Sequence, residues 1–227
     1  MRMILLFVLA LSMASCGTNR NVYKSGDFDN RAYRHQTVAV LPVKITQTGH
    51  VSKKETTASI DASNEKWGYI FQETLLSYSL RHTSKNKKEP VISFQGTQKT
   101  NALLNEAGLT AIDSIYNKTP EELAALLKVD AVIMTTLERD KNFSDGVAYG
   151  LAAGRAVLNV LSRTPTVGAP LNQNSSDINM NAYLYDGKDG RMLWKTFRKG
   201  GTDLPSDVNG LVEYYSNWIA KKLPYRS

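Results

Sequence analysis

Thr119-Pro-Glu-Glu-Leu-Ala-Ala-Leu-Leu-Lys-Val-Asp-Ala-Val-Ile-Met-Thr-Thr-Leu137 is the stretch that decides how this chain folds. Thr119 is a capping residue, Pro120 takes the first helical position, where a missing N–H costs nothing, and Glu122 stands three residues after the cap. The helix so opened runs through Leu127. It leads almost at once into Val129 to Leu137, a β-branched apolar run with the composition of a buried strand. So short a junction leaves the helix no place but against the sheet, the signature of an α/β layer.

Towards the N-terminus, Thr37-Val-Ala-Val-Leu-Pro-Val-Lys-Ile45 has no polar alternation and predicts a strand buried on both faces, with Pro42 marking a bend or an edge. Gln47 to Ala62 is polar and predicts a loop. Trp67, Ile70, Phe71, Leu75 and Tyr78 then fall at helical three- and four-residue steps, with the small Thr74 on the same stripe. A basic turn from Arg81 to Pro90 leads to a short strand, Val91 to Phe94. Leu103, Leu104 and Ala107 form a short helix that Gly108 stops.

Towards the C-terminus, Gly146, Gly150 and Gly154 recur every four residues in the mainly apolar stretch from Gly146 to Leu161. Small residues on one helical stripe let another backbone approach closely, so this is a helix-packing or oligomer contact, or a shallow membrane-surface helix. A loop rich in proline, glycine and asparagine follows. Ile178, Met180, Ala182 and Leu184 alternate with Asn179, Asn181, Tyr183 and Tyr185, a half-buried strand. Asp186-Gly-Lys-Asp-Gly190 turns the chain back into Arg191 to Phe197. That turn lacks the ligand series and terminal glutamate of a calcium loop, so it reads as a solvated hairpin turn. Pro205 opens a closing helix with Val208, Leu211, Val212, Tyr215, Trp218 and Ile219 on one face, ended by Pro224. The fold class is α/β (α+β): one mixed sheet of about five strands with flanking helices.

The order of these pieces resembles a small α/β domain shared by the curli secretion channel lipoprotein, the N-terminal domain of the Tol-system propeller protein and a lipoprotein activator of penicillin-binding proteins. Val38 to Pro42, Glu121 to Ile133 and Ala182 to Trp194 carry the resemblance. It implies an envelope assembly or binding module rather than an enzyme. A secretion pore of that group would add membrane-crossing hairpins with about ten residues of lipid-facing alternation. The two stretches with room, Gln47 to Ala62 and Lys141 to Ser176, are polar and glycine-helical respectively, so no pore is expected.

At the N-terminus a basic Arg2 precedes the apolar run Met3 to Met13, and Ala14 and Ser15 follow, which is how a secretory signal peptide reads. The run is shorter than the roughly 20 residues that span a bilayer. Met13-Ala-Ser-Cys16 resembles the lipobox of bacterial lipoproteins, with methionine where leucine is usual. Cys16, the single cysteine of the chain, is then the lipid attachment site. The resemblance implies a diacylglyceryl group and an amide-linked acyl chain such as palmitate. One acyl chain anchors only marginally; more than one makes attachment stable. No aspartate follows the cysteine, a pattern that implies release to the outer membrane, and no acidic cluster points to surface display. The expected organisation is therefore signal peptide 1–15, lipidated flexible tether 16–36, and a single domain 37–227 with a Gly-rich helical insertion at about 142–176.

The chain has 227 residues, 42% hydrophobic and 22% charged, with a net charge of +7 and a pI near 9.4. This is enough apolar material for one core. A Gly-x-Ser-x-Gly elbow, a His-Glu-x-x-His pair and a phosphate-binding loop are all absent, and no catalytic, cofactor or metal residue is expected. His35, His50 and His82 read as surface histidines. Glu121 and Glu122 are explained by the helix N-terminus they occupy. Positive charge outside the cytoplasm selects anionic lipid headgroups, acidic wall polymers or an acidic protein rather than nucleic acid. The candidate basic contact patch is Arg81, Lys85, Lys87 and Lys88, with a second group at Arg191, Lys195, Arg198 and Lys199. Each reads equally as solvated surface. Expected partners are the membrane through the anchor and an envelope protein or wall component, with a homo-oligomer also open; the alternative function is a structural subunit of an oligomeric envelope or secretion complex.

Overall fold

The computed structural model describes residues 21–49, 56–83, 92–141, 176–200 and 207–225. In chain order these form β1 (Val22–Lys24), α1 (Phe28–Ala32), β2 (Thr37–Val40), β3 (Lys44–Gly49), α2 (Thr57–Thr83), β4 (Ser93–Phe94), α3 (Thr97–Glu106), α4 (Ile112–Tyr116), α5 (Pro120–Leu127), β5 (Ala131–Lys141), β6 (Ser176–Asp186), β7 (Met192–Lys199) and α6 (Val208–Lys222). Among the described residues the strands make one seven-stranded mixed sheet in the order β1-β7-β6-β5-β2-β4, with β3 also paired to β5. The mixed α/β fold is the one expected. The strands beyond five are β1, of three residues, and the polar β3, which offer no apolar run to read.

The opening stretch behaves as its grammar predicts. The Thr119 side chain accepts from the Glu122 N–H, the Glu122 carboxylate accepts from the Thr119 N–H, and Pro120 sits in the first turn. Lys128 ends the helix in the left-handed region at φ 57°, and the chain passes into β5. Gly108, at φ 77°, closes α3 as expected of a glycine stop.

Pro42 marks neither an edge nor the end of a strand but a break in one. β2 pairs in parallel with β5 from Val38↔Ala131 to Val40↔Ile133, and β3 resumes on the same strand at Lys44↔Thr136. Four steps on one strand face three on the other, which leaves one residue in a bulge where proline's missing N–H does least harm. Two side chains and one backbone carbonyl serve this bulge. The Tyr116 hydroxyl lies 2.6 Å from the Thr135 carbonyl and 3.0 Å from the Pro42 carbonyl, and accepts from the Thr135 N–H. Gln72 Nε2 donates to the Val40 carbonyl at 2.8 Å. Gly68 of α2 presses its backbone against Val43, whose N–H donates to the Gly68 carbonyl at 3.0 Å.

A Cβ at position 68 would collide with the Val43 carbonyl and the Ile112 side chain. Gly68→Val is therefore expected to lower unfolding free energy by about 2–3 kcal/mol, measured by urea denaturation. An unchanged midpoint would show that the contact yields freely.

The sheet separates two apolar layers, because successive strand residues face opposite sides. Val40, Ile133, Met180, Leu184 and Trp194 face α2 and α6, which contribute Phe71, Leu75, Val212, Tyr215 and Ile219. Ala39, Leu41, Val132 and Met134 face α3, α4 and α5, which contribute Leu104, Ile115, Leu123 and Leu127. Of the stripes expected on α2 and α6, Phe71, Leu75, Val212, Tyr215 and Ile219 are buried and Trp67, Ile70, Thr74, Tyr78, Leu211 and Trp218 half-buried, while Val208 stays exposed and α6 opens at Asp207, whose carboxylate accepts from the Gly210 N–H. The loop expected over Gln47 to Ala62 is corrected at both ends: β3 runs to Gly49, and α2 begins at Thr57. Edge-to-sheet hydrogen bonding needs no apolar side chains, which is why a polar stretch could form a strand. Among the described residues, no helix is long and apolar enough to cross a membrane.

Candidate functional site

The expected tether over 16–36 is corrected from residue 21 onward, where the chain is already folded. The Asn21 carbonyl accepts from the Phe197 N–H at 3.1 Å and the Thr196 hydroxyl at 2.8 Å. β1 then lies antiparallel on β7 with Val22 opposite Thr196 and Lys24 opposite Trp194. Phe28, buried in the core layer, packs its ring 5.8 Å from that of Tyr225. Polar composition concealed this segment, because one buried ring and a set of backbone bonds hold it and neither leaves a periodic pattern.

Arg31 completes the clasp. Its guanidinium reaches Asp27 at 2.8 Å, Asp186 at 2.9 Å and Asp189 at 2.9 Å, and Arg191 closes on Asp27 at 3.1 Å. The Asp186–Gly190 turn is a hairpin turn as expected but not a wholly solvated one, since Asp186 is buried; Asp186 and Asp189 also cap the backbone N–H groups of Lys188 and Arg191. Its carboxylates serve as a receptor for the N-terminal segment. Hydrogen bonding to Asp186 first, then to Asp189 and Asp27, raises the Arg31 pKa. The Arg31 hydrogen bond holds Asp189 below its ordinary value; at Asp27 burial pushes upward but is outweighed chiefly by the hydrogen bond from Arg31, with the Arg191 charge adding to it.

Behind the clasp stands His35, which corrects the expectation of a surface histidine: it is 5% exposed. Its Nδ1 is 2.7 Å from the Tyr225 hydroxyl, and its Nε2 is 4.0 Å from Asp186, beyond hydrogen-bond reach. Its position two residues before a buried strand was the only signal in the sequence. His82 is also drawn inward, 3.0 Å from Asn217 Oδ1, where it ties α2 to α6. His50 lies outside the described residues. A cleft of about 360 Å³ opens beside His35, lined by Arg34, Asp130, Asp186 and Lys188 among others. Asp130 is committed to the Gln36 and Thr37 N–H groups. Among the described residues, no group of three or more acidic, histidine or cysteine side chains is placed to hold a metal ion. The arrangement pairs charges and pins a chain segment.

Burial lowers the His35 pKa, against the opposing pull of Asp186 and Asp130. The folded state thus prefers the neutral ring, and its contribution to stability is complete above the unfolded value near pH 6.5. It is lost as pH falls below that value through the lower folded pKa. The thermal midpoint is expected to drop between about pH 7.5 and pH 5, and His35→Gln to flatten that drop. An equally steep drop in the variant would assign it to other groups.

Of the residues singled out by sequence, Cys16, Gly146, Gly150, Gly154, Lys85, Lys87 and Lys88 lie outside the described residues. Arg81 is exposed near the end of α2. The second basic group is divided between environments. Arg191 joins the clasp. Arg198 packs over the rings of Tyr214 at 4.9 Å and Trp218 at 5.9 Å on the α6 side. Lys195 lies over Tyr183 at 5.1 Å.

Register explains the division. Thr196 and Trp194 are buried on the α6 side, so Lys195, Phe197 and Lys199 face the other way, as does Tyr23 opposite Lys195. On that second face α3, α4 and α5 cover β2 and β5, and Tyr185 at the margin packs on their layer. The described helices of that face make their main contacts with β2, β3, β5 and β6, and Tyr23 and Phe197 on β1 and β7 are 49% and 44% exposed. The result is an aromatic and basic strip of Tyr23, Lys195, Phe197 and Lys199, with Tyr183 at its inner edge. The acidic residues of the same face, Glu138, Asp140 and Asp177, stand on β5 and β6 instead.

No family model matches the chain, and no curated protein matches it in sequence. Solved structures resemble it at low identity. Lipoprotein GNA1162 from Neisseria meningitidis is similar at 16% identity over 83% of this chain and 99% of that one, with a TM-score of 0.41. The C-terminal domain of LpoB from Salmonella enterica is similar at 11% identity over 73% and 82%, with a TM-score of 0.33. A PelC dodecamer from Paraburkholderia phytofirmans is similar at 12% identity over 81% and 88%, with a TM-score of 0.34.

Proposed function

We propose that this chain is a lipid-anchored binding or assembly module of the bacterial cell envelope, without enzymatic activity. Cys16 attaches it to the outer membrane, and the domain faces the periplasm. The observation that carries this reading is the short distance from anchor to fold. Four residues, Gly17 to Arg20, separate the lipobox cysteine from Asn21, whose carbonyl is bonded to β7. Five steps of fully extended chain reach only about 17 Å. A tether of that reach keeps the domain beside the bilayer and limits how it can turn. The lipobox residues and the sequence resemblance to envelope assembly modules support the same reading.

Mass spectrometry of the mature N-terminal peptide, joined to crosslinking in intact cells, tests it. The expected peptide begins at Cys16 and carries diacylglyceryl and acyl mass, and crosslinks join the domain to envelope components. An unmodified cysteine inside a longer N-terminus overturns it. Native mass measurement of the detergent-solubilised protein addresses the structural-subunit alternative, which a pure monomer removes.

A further inference from the structure

We infer that the uncovered β7–β1 flank of the sheet docks on an anionic phospholipid surface, with Tyr23, Phe197, Lys195 and Lys199 at the contact. The inference rests on the anchored reading above, because the anchor determines which part of the domain meets the bilayer. β1 is the first described element, and among the described strands it is the edge strand beside β7. A lipid held within about 17 Å of Asn21 therefore brings this edge to the membrane before any other described element.

The chemistry of the flank fits headgroups. Tyr23 and Phe197 expose large rings; the amphipathic ring of Tyr23 favours the bilayer interface, and the apolar ring of Phe197 suits the acyl boundary. Lys195 and Lys199 alternate with Phe197 along β7 and share its face, so their ammonium groups meet phosphates where the rings meet the acyl boundary. Juxtamembrane lysines gain free energy from an anionic leaflet that is screened within a Debye length. The acidic residues of this face lie on the strands away from β1, so the charge of the face is sorted: cations near the anchored edge, carboxylates away from it. The chain's net charge of +7 supplies long-range attraction, and the flank supplies orientation.

The test uses the chain from Gly17 onward, which lacks the anchor and keeps every described element. Co-sedimentation is measured with vesicles of phosphatidylglycerol and phosphatidylethanolamine, and with vesicles of phosphatidylcholine. Binding is expected with the first and not the second, weakening with salt. Lys195→Gln and Lys199→Gln are each expected to reduce it about fivefold, and Phe197→Ser to reduce it further. Lys99→Gln on α3, which makes the same change in net charge, is expected to leave it unaltered. Circular dichroism confirms the fold of each variant. Equal weakening by Lys99→Gln, or no preference for anionic vesicles, overturns the inference. So does binding to purified cell-wall sacculi that depends on Lys195 while vesicle binding is absent, which would assign the flank to an acidic polymer. An unacylated mature protein overturns the anchored reading alone, since vesicle binding by this chain is measured without the anchor.

Discussion

Cys16→Ser is expected to remove all incorporated acyl label and to move the protein from the membrane pellet to the released fraction. A serine hydroxyl does not take the place of the thiol in the thioether to diacylglycerol, so the first lipid is never added. Without it the chain is not processed as a lipoprotein. The energetic consequence is large because each buried methylene contributes about 0.8 kcal/mol, and two or three chains multiply a hold that one chain supplies only marginally. Cys16 lies before the first described residue, Asn21, and serine leaves every described contact in place. Yield and melting of the released domain should therefore match the parent. Radiolabelled palmitate with membrane fractionation checks the prediction, and unchanged label with continued retention would end the lipoprotein reading.

Phe28→Ala is expected to release the N-terminal clasp. The side chain is 3% exposed, packs on Tyr225 and lies under the Lys24 ammonium, 4.6 Å from the ring centroid. Truncating a buried phenylalanine costs about 3–5 kcal/mol. β1 has three residues and α1 five, and helices shorter than about 12 residues are marginal by themselves. The loss therefore falls on a unit with little stability of its own. The segment should open while the sheet stays folded, in the manner of local unfolding. Trypsin should then cut after Arg31 and Arg34 at least tenfold faster than in the parent, about 1.4 kcal/mol of shifted opening equilibrium being enough for that factor. Equal cleavage rates would show that Phe28 is not the anchor. The release also has a functional reading. Under the anchored reading proposed above, opening the clasp lengthens the free chain from Cys16–Asn21, about 17 Å, to Cys16–Thr37, up to about 70 Å, and the flank is then no longer held at the bilayer.

Legibility followed the kind of interaction that formed each element. The capped helix from Pro120 and the strand after it were readable because capping chemistry and side-chain burial are both local in sequence. The hairpin of β6 and β7 was readable for the same reason, its alternation being visible in Ile178, Met180, Ala182 and Leu184. β1 and α1 were not readable. They are held by backbone pairing to β7 and by an Arg31 that meets aspartates 155 and 158 residues away, and nothing near Arg31 in sequence announces those partners. His35 was misread on the same ground, since its burial depends on Tyr225 and Asp186. The basic residues Arg191, Lys195, Arg198 and Lys199 form a group in sequence but stand in separate environments in the fold. Strand alternation sends Arg198 to α6 and Lys195 to the uncovered face, a division that follows only once the buried side of Trp194 and Thr196 is known.

By itself the sequence determined the fold class, the capped helix-to-strand junction, the hairpin and the lipobox reading of Cys16, because each depends on residues within a few positions of one another. Tertiary structure alone decided that the chain is folded from Asn21, what the hairpin aspartates hold, and which flank of the sheet exposes Tyr23 and Phe197 among the described residues. Those outcomes depend on which side of a strand a distant helix covers and on ion pairs between segments far apart in the chain. Both are fixed only when the sheet is assembled and one face of β7 is buried.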